Sequence, residues 1–138
     1  MRLGISGDVS ITIGTAYDGK AMAQAKIKVD EELIVNGDFS APSGYAAMKT
    51  LLGKPVRPTG VFCSNDEMAI GAARAIKETR LRIPRDISII GFDDLELAAH
   101  LRPSLTTVHV PADEMWRCAA DRVLAALAGE ELPRATQI

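Results

Sequence analysis

The sequence predicts an α/β fold: three layers around a mostly parallel sheet. Two observations carry that expectation. Hydrophobic periodicity switches repeatedly between the strand and helix types along the chain. The run Asp86-Ile87-Ser88-Ile89-Ile90-Gly91-Phe92 is nearly all apolar, as suits a strand buried on both faces of a parallel sheet. Strands alternating with helices give a layered α/β domain.

The elements follow in order. Arg2 to Ser6 is a short strand, and residues 7 to 14, rich in Gly, Ser and Thr, are a loop. Residues 16 to 27 have good helix propensity. Glu32-Leu33-Ile34-Val35 is a second strand, stopped by Asn36-Gly37-Asp38. Ser40 is an N-cap with Pro42 in the first turn; Tyr45, Met48 and Leu52 then fall at helical spacing until Gly53 and Pro55 end the helix. Thr59 to Cys63 is a third strand. Ser64-Asn65-Asp66-Glu67 holds an S-x-x-E capping box, and Ala69, Ala72, Ala73 and Ile76 form the stripe of the helix after it. Asp86 to Phe92 and Leu105 to Val110 are strands four and five. Pro111 opens a last helix with Trp116, Ala119, Val123 and Leu127 on one face, stopped by Gly129.

Composition narrows the function classes. The 138 residues suit one domain with a real core, and 47% hydrophobic with 25% charged residues is an ordinary globular mix. A formal net charge of -2 lacks the basic footprint of a nucleic-acid-binding domain. No apolar run approaches the ~18 residues of a membrane span, so no membrane contact is expected. Cys63 and Cys118 read as thiols in a reducing compartment, and no signal peptide is visible, which together suggest the cytoplasm.

In open parallel sheets ligands bind beyond the carboxyl ends of the strands. The loops there carry Phe39, Asn65 and Asp93. Asn65 offers a donor and an acceptor, and an ionised Asp93 accepts two hydroxyl protons, so together they suit a polyhydroxylated or amide-bearing small molecule. Phe39 can stack on a sugar face or flat ring. Blander readings stand beside these: Asn65 or Ser64 capping the helix, Asp93 or Asp94 capping a turn, Phe39 as ordinary packing. Catalytic readings are poor. His100 and His109 lack metal-ligand spacing, and no G-x-S-x-G, G-x-G-x-x-G or G-x-x-x-x-G-K-[ST] motif is present. No catalytic residue, metal or cofactor is expected.

Five runs in order are distinctive together: Val35-Asn36-Gly37-Asp38-Phe39-Ser40 with Ser43-Gly44-Tyr45; Arg57 to Phe62; Ser64-Asn65-Asp66-Glu67-Met68-Ala69-Ile70-Gly71-Ala72; Ile83 to Asp94, ending Gly-Phe-Asp-Asp; and Pro103-Ser104-Leu105-Thr106-Thr107-Val108. From Val29 onward the chain resembles the effector-binding region of the lactose-repressor/galactose-repressor family of bacterial transcription regulators. The resemblance implies a periplasmic-binding-protein-like fold, in which two α/β subdomains close on a small effector. It implies that residues 1–138 form one such subdomain, the carboxy-terminal, dimerising part, without the helix-turn-helix head or the first effector subdomain. Operator DNA would then be bound only through the absent head. The family's cleft positions fall on Phe39, Asn65 and Asp93, the residues that strand-end geometry also selects. A homodimer face including Leu95 to Arg102 and the last helix is implied as well.

Two departures stand out. Residues 3 to 19 contain no Lys or Arg, where the family commonly grips its effector with an arginine; Ser10 and Thr12 are weak substitutes, and a sugar is favoured over a purine as effector. Arg80 stands where the family usually has Gly, so a left-handed cap there would cost ~1 kcal/mol. The competing reading is a periplasmic sugar-binding protein serving a transporter, which shares the fold.

Overall fold

The computed structural model describes residues 12–13, 24, 26 and 30–131. The expected strand Arg2 to Ser6 lies outside them, as does the helix over 16–27 apart from Gln24, which is helical, and Lys26. Within the expected loop 7–14, Thr12–Ile13 instead form a strand, β1.

A 3-10 turn over Glu31–Leu33 follows, and then α1 (Ala41–Leu52), β2 (Gly60–Cys63), α2 (Asp66–Glu78), β3 (Ser88–Asp93), α3 (Glu96–His100), β4 (Thr106–His109) and α4 (Ala112–Leu127). Among the described residues four strands pair in chain order, all parallel. This bears out the α/β class and the mostly parallel sheet. The second expected strand does not form. The Asp30 side chain accepts from the Glu32 N–H at 3.0 Å and closes the 3-10 turn, which buries Leu33, and Val35 alone keeps a bridge.

α1 starts where expected. Ser40 is extended, its hydroxyl accepts from the Ser43 N–H at 3.2 Å, and Pro42 occupies the first turn, where its missing N–H costs nothing. α2 departs from expectation by one residue. Its cap is Asn65, whose Oδ1 accepts from the Met68 N–H at 2.9 Å. The S-x-x-E box therefore does not close, because the helix begins after Asn65, and the buried Ser64 hydroxyl has no partner.

α1 and α2 pack closely on each other. A Cβ at Gly71 would collide with the Ala41 carbonyl, and one at Gly44 with the Met68 backbone. Met48 and Leu51 of α1 meet Met68, Ala69, Ala72, Ala75 and Ile76 of α2 in one core with Val61, Cys63 and Ile89 of the sheet. Strand alternation puts Val61 and Ile89 on that covered face, together with Gly91 and its register partner Thr107. Ile90 and Val108 point the other way and are exposed.

α4 carries its apolar stripe on an open face. None of its residues is buried; Trp116 is 74% exposed and Leu127 80%. Periodicity predicts an apolar face correctly, but among the described residues nothing covers it. Arg80 does adopt the left-handed conformation, with φ 63°, just beyond the end of α2.

Candidate functional site

The carboxyl ends of β2 and β3 and the entry to α1 meet at one end of the sheet. Phe39 sits in a tight web of short side chains. The Asp38 carboxylate accepts from the Ser40 N–H (3.0 Å) and hydroxyl (2.5 Å), while the Ser43 hydroxyl takes the Asp38 N–H at 3.1 Å. The Ser40 and Ser43 hydroxyls hold the exposed Asp38 carboxyl down at about 2. This web fixes Phe39 in the left-handed region, φ 67°, and leaves the residue 49% exposed.

Asn65 joins that web to α2. Its Nδ2 donates to the Phe39 carbonyl at 2.9 Å while its Oδ1 caps the helix. The capping reading of Asn65 is therefore correct. It does not exhaust the side chain: an amide has two N–H donors and two acceptor sites, so one N–H and one lone pair remain.

Asp93 ends β3 with φ 114°, and Asp94 follows with φ 59°. Such backbone costs on the order of 1–3 kcal/mol at Asp93 and persists only where the surroundings hold it. Burial first, and then the charge of Asp66, raise the Asp93 carboxyl above its ordinary value. Its neighbour is engaged elsewhere: Asp94 Oδ2 meets His109 Nδ1 at 2.8 Å on the surface.

Asp66, the first residue of α2, ties these parts together. It is fully buried. Its Oδ2 accepts from the Leu95 N–H at 2.8 Å, and its Oδ1 accepts from the Thr107 hydroxyl at 2.6 Å. The Thr107 oxygen in turn accepts from the Asp94 N–H at 3.2 Å. Burial, and then the Asp66 charge, push the adjacent Cys63 thiol up to about 12, so it is an inert core group. Phe39 and Asn65 are thus joined directly, and Asp93 is joined to them at one remove through Asp66. Thr107 was missed because nothing in its local sequence marks it; only the register opposite Gly91 brings it over Asp66.

This arrangement of strand-end loops on a parallel sheet defines a small-molecule-binding domain of the periplasmic-binding-protein type. Residues 8–138 match the family described as periplasmic binding protein-like domain. The chain belongs to that family, and within it to the effector-binding domains of the lactose-repressor/galactose-repressor regulators. It is 49% identical over 105 residues to the HTH-type transcriptional repressor PurR of Escherichia coli, a match covering 76% of this chain and 31% of the relative. The chain thus spans about a third of the length of the curated relatives it matches. Among solved structures, the complex of the transcriptional regulator CelR with cellobiose aligns at TM-score 0.85 and 30% identity, covering 91% of this chain and 42% of that one. A dimeric Lac repressor with a C-terminal deletion aligns at TM-score 0.76 and 33% identity, covering 83% and 41%. These relatives are transcription regulators. No helix among the described residues is long and apolar enough to cross a membrane.

Proposed function

We propose that the chain, as a single carboxy-terminal subdomain, supplies one wall of an effector cleft in a cytoplasmic, DNA-binding transcription regulator. The observation that carries this reading is the single hydrogen-bonded assembly of Phe39, Asn65 and the Asp93 turn at the strand ends. Phe39 stacks on the effector, Asn65 gives it a donor and an acceptor, and Asp93 accepts its hydroxyl or N–H protons. Effector binding shifts subdomain closure and with it operator affinity. Contact with DNA falls to another segment of the regulator, in keeping with the net charge of -2 here.

Neutral sugars and purines both suit these three side chains. The likeness to the cellobiose-bound regulator supports the first, and the higher identity to the repressor PurR removes the ground for ranking sugars above purines. The test is calorimetric titration of the regulator with cellobiose, other neutral sugars and free purine bases. One class binds, and Asn65→Ala and Asp93→Ala each weaken it by about tenfold or more. Parent-like affinity in both variants would refute the assignment.

The same regulator is proposed to work as a homodimer. A groove of about 470 Å³ beside α3, lined by Ile70, Arg74, Lys77, Leu101 and Pro103, adjoins the Leu95 to Arg102 segment and supports a face there. Ile70→Asp, measured by sedimentation, lowers the sedimentation coefficient to the monomer's if this face is used; an unchanged dimer rejects it.

A further inference from the structure

The two polar groups of the proposed cleft, Asn65 and Asp93, come from different elements, so something must fix one against the other. Neither bonds to the other. Asn65 is held by the Phe39 carbonyl before α1 and by the Met68 N–H of α2, whereas Asp93 ends a strand in a backbone conformation that does not hold itself, with φ 114° followed by 59° at Asp94. The link between them is a buried carboxylate and one hydroxyl.

We propose that Asp66 and Thr107 are the positioning residues of the cleft, setting the aim of Asp93 relative to Asn65. This rests on the cleft reading above. Asp66 is the residue after Asn65, so its backbone position is that of the α2 start. Its two oxygens reach across to the loop after β3 and to β4. One takes the Leu95 N–H at 2.8 Å, and the other takes the Thr107 hydroxyl at 2.6 Å, whose oxygen receives the Asp94 N–H at 3.2 Å. The turn is therefore gripped on both residues that follow Asp93, and its own side chain stays free. The strand makes room for this. Gly91 lies under Asp66, and a Cβ there would collide with Oδ1. No cation among the described residues pairs with Asp66, and its burial is satisfied by those two donors. A carboxylate serving only as a helix cap would not need to span β3 and β4; here Asn65 does the capping.

The inference separates two roles at the site. Asn65 and Asp93 would touch effector, whereas Asp66 and Thr107 act through them. Thr107 is the better handle, because Val keeps its shape and removes only the hydroxyl, whereas Ser keeps the hydroxyl.

The experiment is NMR on the 138-residue chain without any effector. In Thr107→Val the Asp94 amide exchanges with solvent about tenfold faster than in the parent, and Thr107→Ser restores slow exchange. In Asp66→Asn the titration midpoint of the Asp93 carboxyl falls, because the Asp66 charge that helps raise it is gone. The other titratable groups at this end are Asp94 and His109, which pair with each other on the surface, and the buried Cys63 thiol. Unaltered Asp94 exchange in Thr107→Val overturns the proposal, and so does an unmoved Asp93 midpoint in a folded Asp66→Asn. If Asp66→Asn does not fold, the Thr107 pair alone decides. Because no effector is present, failure here leaves the cleft reading standing, while parent-like effector binding by Asp93→Ala would refute that reading and leave the exchange result intact.

Discussion

Asp66 lies so close over Gly91 that no side chain fits between the start of α2 and the middle of β3. The obstacle is a buried carboxylate with both oxygens engaged, so it cannot swing aside without leaving two donors unmet. Gly91→Ala is therefore expected to destabilise the chain by about 3 kcal/mol, read by urea denaturation. A loss below about 1 kcal/mol would mean that the helix start yields easily.

Arg80 offers the opposite sign. It holds φ 63° on the surface just past α2 and donates its N–H to the Lys77 carbonyl at 3.0 Å. A glycine takes that conformation without steric penalty. Arg80→Gly should stabilise by about 0.5 kcal/mol in a thermal melt, the relief of the left-handed backbone outweighing the looser unfolded chain, and a lowered Tm would contradict this.

Asp93 should show stability and binding pulling apart. Its carboxyl is raised above the ordinary value by burial and by Asp66, so the folded state disfavours its charged form. A raised value means that the favourable contribution is present at low pH and lost as pH rises through the folded value. At neutral pH the ionised side chain is thus a net burden on folding. Asp93→Asn should raise Tm at pH 7 while weakening effector binding, and the gain should vanish below about pH 4, where the parent is also protonated. A lowered Tm at pH 7 would contradict this.

Ser40 makes two contributions that one substitution removes. It caps α1, and its hydroxyl is the main reason that the Asp38 carboxyl sits at about 2. Ser40→Ala should cost about 1 kcal/mol at neutral pH through the cap. A depressed carboxyl contributes above its unfolded value and loses that contribution as pH falls through the folded one. Between about pH 4 and pH 2 the parent should therefore lose stability through Asp38, and Ser40→Ala should show a flatter slope there. Parallel pH profiles for the two proteins would count against the assignment.

The legible parts of this molecule were those written in local chemistry. Ser40 before Ala41-Pro42, the Gly53 stop and the apolar run around Ile89 identify their elements without help from distant residues. The candidate contacts Phe39, Asn65 and Asp93 were found because strand ends on a parallel sheet gather in one place. What escaped depends on partners far along the chain. Thr107 reaches Asp66 across 41 positions, through a sheet register that no local pattern encodes. Asn65 reads as either a cap or a contact, and only the Phe39 carbonyl beside it shows that the side chain serves two loops at once. Glu32 to Val35 has strand composition, but the Asp30 cap closes a tighter turn first. α4 declares an apolar face by its spacing, and spacing alone says nothing of what lies against it.

The glycine contact between the two long core helices has a mechanical meaning. With Gly71 pressed on the Ala41 carbonyl and Gly44 on the Met68 backbone, α1 and α2 have no play to slide or tilt against each other. Their first turns carry Ser40 and Asn65, next to Phe39 and Asp66. Those two rims are therefore welded to a single plate. Any jaw motion that grips a guest must swing this plate as a whole about chain segments elsewhere, and a lever applied to α1 is felt at Asn65 without slack.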